Sequence, residues 1–244
     1  METVRDHYDS FLGSVYSWIL GDFAAAHEQN LRYFRSLALA PRAGATAVDL
    51  GCGPGCQTVP LAELGFEVLA IDFCQPLLDE LESHAKGLAI RTICDDLQNF
   101  ASHITEPVDL IVCMGDTLVH LPHVAAVESL LDEVCRSLGR GGTFIYAIRD
   151  YVGQVPQGAE RFIPIRANDE RIFTCFLDYR DDVVHVHDVL YVKAGDVWEM
   201  RISDYLKLRL DSNDINGGLE RRGLTIVDST SVEGMITVVA RKPA

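Results

Sequence analysis

Asp49, Gly51, Gly53 and Gly55 stand at alternate positions in Val48-Asp49-Leu50-Gly51-Cys52-Gly53-Pro54-Gly55, where an apolar run ends in a glycine-rich turn. Glycines at this spacing let the chain turn tightly and bring backbone N–H groups close to a ligand. A helix starting there adds the positive end of its dipole. Asp72 ends the next apolar run, Phe66 to Ile71, and an acid in that place accepts hydrogen bonds from ribose hydroxyls. The chemistry on offer is therefore capture of a ribose-bearing cofactor. A dinucleotide turn reads Gly-x-Gly-x-x-Gly; counted from Gly51, its third glycine falls on Cys56, so the pattern fails where helix and strand must pack closely.

The elements that position these residues follow from periodicity. Apolar residues at three and four spacing predict two helices over 11–39, broken near Gly21-Asp22. Strands are predicted at 46–50, 66–71, 88–93, Val108 to Met114 and 143–149. Helices are predicted at 56–65, through Leu77, Leu78 and Leu81, and at 123–138, with a turn at Gly139-Arg140-Gly141-Gly142. Alternating strand and helix argue for a parallel sheet covered on both faces. Residues 161–209 instead alternate polar and apolar, as an antiparallel set of three or four strands does. A helix at 212–222 and a hairpin-like pair, Leu224 to Asp228 and Met235 to Ala240, close the chain. The expected fold is α/β: a Rossmann-like sheet, mostly parallel with its last strand antiparallel, and an antiparallel β cap inserted after the fifth strand. The expected division is a cofactor domain of 1–150 and 210–244, with 1–40 as a helical lid and 151–209 as a substrate cap.

A chain of 244 residues, 48% hydrophobic, suits one domain with a subdomain. A formal net charge of −15 disfavours nucleic acid as a partner. No apolar run reaches bilayer length, which argues against a membrane partner. Seven scattered cysteines, an odd number without a signal sequence, point to reduced thiols and a cytoplasmic location. His185 and His187 share a strand face with no third ligand in view, so no metal is expected. Oligomeric state stays open, with the cap's edge strand offering a route to a homodimer.

The spacing Asp-x-Gly-x-Gly-x-Gly, Asp49 to Gly55, resembles motif I of class I methyltransferases that use S-adenosylmethionine. Three further segments resemble the glycine N-methyltransferase branch: Val15-Tyr16-Ser17-Trp18-Ile19-Leu20-Gly21-Asp22, Cys113-Met114-Gly115-Asp116-Thr117-Leu118-Val119-His120-Leu121-Pro122 and Arg149-Asp150-Tyr151. This resemblance implies S-adenosylmethionine as cofactor and a small-molecule acceptor. It implies that Asp49 and the backbone of Gly51, Cys52, Gly53 and Gly55 hold the methionine end. Asp72 would hold the ribose, with Phe73 beside the adenine and Asp96 and Leu97 at its edge and face. Met114 would offer backbone to the amino group, and Tyr16 and His120 would line the pocket. On the substrate side, Arg149 would clamp a carboxylate and Tyr151 would line the pocket. Two departures stand out: Asp116 replaces the branch's substrate-binding asparagine, and Ala26, beside His27, falls where an arginine contacts the cofactor carboxylate.

Charge separates the acceptor classes. When a neutral amine attacks a sulfonium methyl, positive charge moves onto nitrogen and a carboxylate such as Asp116 stabilises it; an oxyanion would be repelled. The expectation is therefore methyl transfer to the nitrogen of a small amine or amino acid. A small-molecule O-methyltransferase and a cofactor-binding protein without transfer activity are the alternatives, and a nicotinamide oxidoreductase is a more distant one.

Overall fold

The computed structural model describes residues 3–39, 41–153 and 155–244. Five parallel strands carry the fold: β1 (Thr46–Leu50), β2 (Glu67–Asp72), β3 (Ile90–Cys94), β4 (Val108–Cys113) and β5 (Leu138–Arg149). The cap is a separate antiparallel sheet in the order β6 (Phe162–Ala167), β7 (Arg171–Tyr179), β8 (Val183–Ala194), β9 (Val197–Leu208). The chain then returns through β10 (Thr225–Val232) and β11 (Met235–Arg241). The large sheet has seven strands in the order β10-β11-β5-β4-β1-β2-β3. Because β11 runs antiparallel to both β5 and β10, the last strand is the one that opposes the sheet, as expected, and it lies inside the sheet rather than at its edge.

Helices are α1 (Val4–His7), α2 (Tyr16–Leu20), α3 (Phe23–Ser36), α4 (Thr58–Glu63), α5 (Gln75–His84), α6 (Val124–Ser137) and α7 (Ser212–Arg221). Strand periodicity of two divides the core between the two faces of the sheet. Val48, Leu50 and Ile111 pack with α6 and α7, while Ala47, Leu110 and Val112 pack with Phe34 of α3 and Leu61 of α4. The first of these cores continues without interruption into the cap through Cys175, Leu177, Val184, Val186, Tyr205 and Leu208. Among the described residues no helix is long and apolar enough to cross a membrane.

Two elements differ from the sequence expectation. Gly139 to Gly142 is no turn: β5 begins at Leu138, directly after α6, and the glycines form an irregularity in which Val108 pairs with Leu138 but Leu110 with Thr143. Extra residues of this kind are absorbed where backbone can reach positive φ, and Gly141 has φ +75°. Helix begins seven residues earlier than periodicity suggested. Thr3 caps α1 through a reciprocal bond with Asp6, and Tyr8–Leu12 continues as a π-turn. An opening this short offers too few repeats for a helical period to show.

Candidate active site

Parallel α/β sheets bind ligands outside the carboxyl ends of their strands, and a cavity lies there. It measures about 460 Å³ and is lined by Gly51 and Gly53 after β1, Asp72 and Phe73 after β2, Asp96, Leu97 and Gln98 after β3, and Gly115, Thr117 and His120 after β4. Thr3, Val4, Arg5, Tyr8 and Tyr16 of the N-terminal segment wall it, as do Val183, Leu206 and Leu208 of the cap.

The glycine turn is held by Gly51 and Cys52, whose N–H groups both donate to the Ile71 carbonyl, at 2.8 and 3.1 Å. Gly51 has φ +71°, and a Cβ there would lie 2.5 Å from Thr117 Cγ2. At Gly55 a Cβ would run into the Leu81 side chain, so this glycine serves the packing of α5 instead of the cavity wall. Asp49 likewise points away from the cavity. It accepts a 2.6 Å bond from Thr58 Oγ1 in α4, and burial pushes its carboxyl up to about 7.

Asp72 accepts from the N–H groups of Gly53 and Cys74, each at 2.9 Å. Burial raises its pKa against the opposing effect of those donors and of Arg5. Phe73 meets Tyr8 edge-on at 5.4 Å and carries the Arg5 guanidinium 5.1 Å above its ring. Asp96 caps the 3-10 segment Leu97–His103 through Gln98 N–H, which holds Leu97 against the cavity. Met114 is not in the wall; its carbonyl accepts from Thr117 Oγ1 at 2.7 Å, and Gly115 next to it forms the lining.

His120 stacks on Tyr205 at 5.5 Å, and its Nδ1 is buried without a hydrogen-bond partner. Desolvation, then the charge of Lys207, lowers its pKa to about 3, so the ring is neutral. A buried unpaired nitrogen is costly unless a ligand completes it.

Asp116 is 6% exposed, with φ +71°. It accepts from Arg149 N–H at 2.8 Å, from Tyr151 Oη at 3.0 Å and from Lys207 Nζ at 2.7 Å. Burial alone would raise its pKa, but Lys207 and the Arg149 N–H outweigh that and hold it ionised. Lys207, taken from water by β9, is in turn held well above its usual range by Asp116 and the flanking tyrosines. Two expectations change here. Tyr151 is buried and bonds Asp116 and Lys207 rather than lining the cavity. Arg149 ends β5 opposite Met235 with its side chain exposed, donating to the Glu233 carbonyl at 3.4 Å. A clamp role for Arg149 therefore has no support from its placement, and Lys207 is a part-buried cation beside the loop that lines the cavity. Sequence reading missed Lys207, Arg5 and Tyr205; the alternation of β9, with Tyr205 and Lys207 on one face, was the only signal that could have raised the first.

Residues 47–142 match the family model for a methyltransferase domain. A ubiquinone biosynthesis O-methyltransferase of Methylococcus capsulatus is 32% identical over 108 residues, covering 43% of this chain and 44% of that protein. A glycine/sarcosine N-methyltransferase of Aphanothece halophytica is 28% identical over 106 residues, covering 43% and 40%. The matches thus span about half the length of these curated relatives. The solved structure of CalS10, an amino pentose methyltransferase of Micromonospora echinaspora with S-adenosylmethionine bound, superposes with a TM-score of 0.76 at 15% identity, covering 94% of this chain and 95% of that one.

The matched segment resembles a methyltransferase domain, and the fold is that of solved methyltransferases such as CalS10, which holds S-adenosylmethionine. The residues fit that cofactor. Gly51, Gly53 and Asp72 line the cavity, a Cβ at Gly51 would push Thr117 out of its wall, and His120 Nδ1 has no hydrogen-bond partner among the described residues.

Proposed function

We propose that this protein transfers the methyl group of S-adenosylmethionine to the nitrogen of a small amine-bearing molecule. When bound, the cofactor supplies an electrophilic methyl on a positively charged sulfur. The turn Gly51–Gly53, Asp72, Phe73, Asp96 and Leu97 would hold its nucleoside and amino-acid parts, and the protein's contribution to rate would be alignment, worth up to roughly 7–11 kcal/mol. The observation that carries the amine reading is the character of the wall around the reacting end. Tyr8 and Tyr16 line the cavity with neutral phenols, Tyr16 raised to about 12 by burial, and aromatic faces favour a cation as positive charge passes from sulfur to nitrogen. Asp116, held ionised beside Gly115, lies behind this wall paired with Lys207. That CalS10 is an amino pentose methyltransferase agrees with this reading.

One observation favours an oxygen acceptor instead. Lys207 lies 2.7 Å from Asp116 and cancels its charge, and a part-buried ammonium steadies an oxyanion nucleophile. The curated O-methyltransferase relative agrees with that second reading. The two separate by release of S-adenosylhomocysteine over amino sugars, amino acids, simple amines, phenols and carboxylic acids. The amine reading expects turnover on amines, with Lys207→Met keeping or raising it. Turnover confined to oxygen acceptors and abolished by Lys207→Met would establish the other.

A further inference from the structure

We propose that the protein associates with a second copy of itself through the outer edge of β9, the two strands pairing antiparallel about a two-fold axis at Met200. Among the described residues β9 is the edge strand of the cap sheet, paired as a strand with β8 alone. Edge strands are normally blunted by proline, charged side chains, above all lysine, or a covering element, and the charges of 197–202 are one of each sign, Glu199 and Arg201. Residues 197–202 have no proline, no lysine and, among the described residues, no cover: Trp198, Met200 and Ile202 are 41, 56 and 57% exposed, and all six residues are exposed.

The backbone phase follows from the hairpin that starts the strand. Ala194 pairs with Val197 across the two-residue turn Gly195-Asp196, with Gly195 at φ +65°. The closing pair of such a hairpin exchanges both hydrogen bonds. Val197, Glu199 and Arg201 therefore turn their N–H and C=O groups toward β8, and Trp198, Met200 and Ile202 turn theirs outward. The outward set is what a second strand would meet.

Symmetry and charge then select the register. A two-fold pairing of identical strands places one residue on the axis and matches residues symmetrically about it. With Glu199 on the axis two carboxylates face each other, and with Arg201 on it two guanidinium groups do. With Met200 on the axis, Glu199 of each copy faces Arg201 of the other, and Trp198 faces Ile202, twice over. Opposite charges and aromatic–aliphatic pairs directly across a sheet stabilise it, and like charges destabilise it. Within one strand Arg201 Nη2 is already 3.6 Å from Glu199 Oε2, so pairing extends this contact into four charges of alternating sign on one face. On the other face the two apolar stripes adjoin. One edge is thereby complementary to itself, and its fit is to this chain.

The test is sedimentation velocity on the intact protein and three variants, with circular dichroism confirming that each is folded. The wild-type protein is expected to dimerise at micromolar concentration. Met200→Pro removes only an outward N–H, which an edge strand tolerates, and E199R sets arginine against arginine. Each is expected to weaken the dimer by about ten-fold or more, and the charge exchange E199R/R201E to restore it. A wild-type protein that stays monomeric at about 100 µM, well above the affinity expected of a specific dimer, overturns the proposal. So does a dimer insensitive to Met200→Pro and E199R, which would use another face, or a dimer lost in E199R that E199R/R201E fails to recover.

Discussion

His120 shows how one side chain ties stability to ligand capture. Its ring is neutral because burial and Lys207 depress its pKa from 6.5 to about 3, while the unfolded chain still takes up the proton near 6.5. Below pH 6.5 the unfolded state therefore binds more protons than the folded state. The contribution of His120 is complete above 6.5 and is lost as pH falls through the window from 6.5 to about 3. In urea unfolding, the protein is expected to lose about 1–2 kcal/mol more between pH 6.5 and pH 5 than the His120→Gln variant does. Equal slopes for the two would mean that the ring is charged in the folded state. A neutral ring also fits its neighbourhood, since an imidazolium there would repel both Lys207 and a cationic cofactor.

At the level of elements, the turn after β1 rests on two separable properties of Gly51: its positive φ and the crowding by Thr117. Gly141, in the irregular start of β5, has a similar φ of +75° and nothing within 4 Å of a Cβ. Alanine at either site incurs backbone strain of roughly 1–3 kcal/mol, but only Gly51→Ala displaces Thr117 from the cavity wall. Calorimetry is expected to show S-adenosylhomocysteine binding weakened about ten-fold or more in Gly51→Ala, a cost of at least about 1.4 kcal/mol, and unchanged in Gly141→Ala. Equal losses would assign the effect to global destabilisation. This turn was legible in the sequence because its chemistry is local: the glycines and the strand run that they end lie within eight residues. The strands and the antiparallel cap were legible for the same reason, each alternation being contained in its own segment. Arg149 and Lys207 were not. Whether β5's last side chain faces solvent depends on its pairing with Met235, and Lys207 reaches Asp116 across 91 positions of chain. Periodicity assigns a residue to a face, but the partner on that face comes from the packing of cap on sheet. The walls supplied by Arg5 and Tyr8 were hidden too, because α1 is a single turn fixed by the Thr3 cap and by its contacts with the cap sheet, where His7 bonds Asp188 and Ser203.

The molecule as a whole carries a formal charge of −15, and its site has more acids than bases: Asp72 and Asp96 line the cavity with Arg5, while Asp116 and Lys207 behind the wall cancel. S-adenosylmethionine bears a net positive charge at neutral pH, and S-adenosylhomocysteine bears none. In the proposed reaction, methyl transfer thus turns a ligand that the field attracts into one to which it is indifferent. Exposed charges act through solvent over a Debye length of about 10 Å at 0.1 M salt and about 3 Å at 1 M, so salt should remove the preference selectively. Raising ionic strength from about 0.01 M to 1 M is expected to weaken S-adenosylmethionine binding several-fold while leaving that of S-adenosylhomocysteine within about two-fold. Parallel titrations of the two ligands check this. A common shift for both would trace the salt effect to the cavity's structure, whereas a shift confined to the charged ligand makes the acidic surface a device that favours loading over product retention.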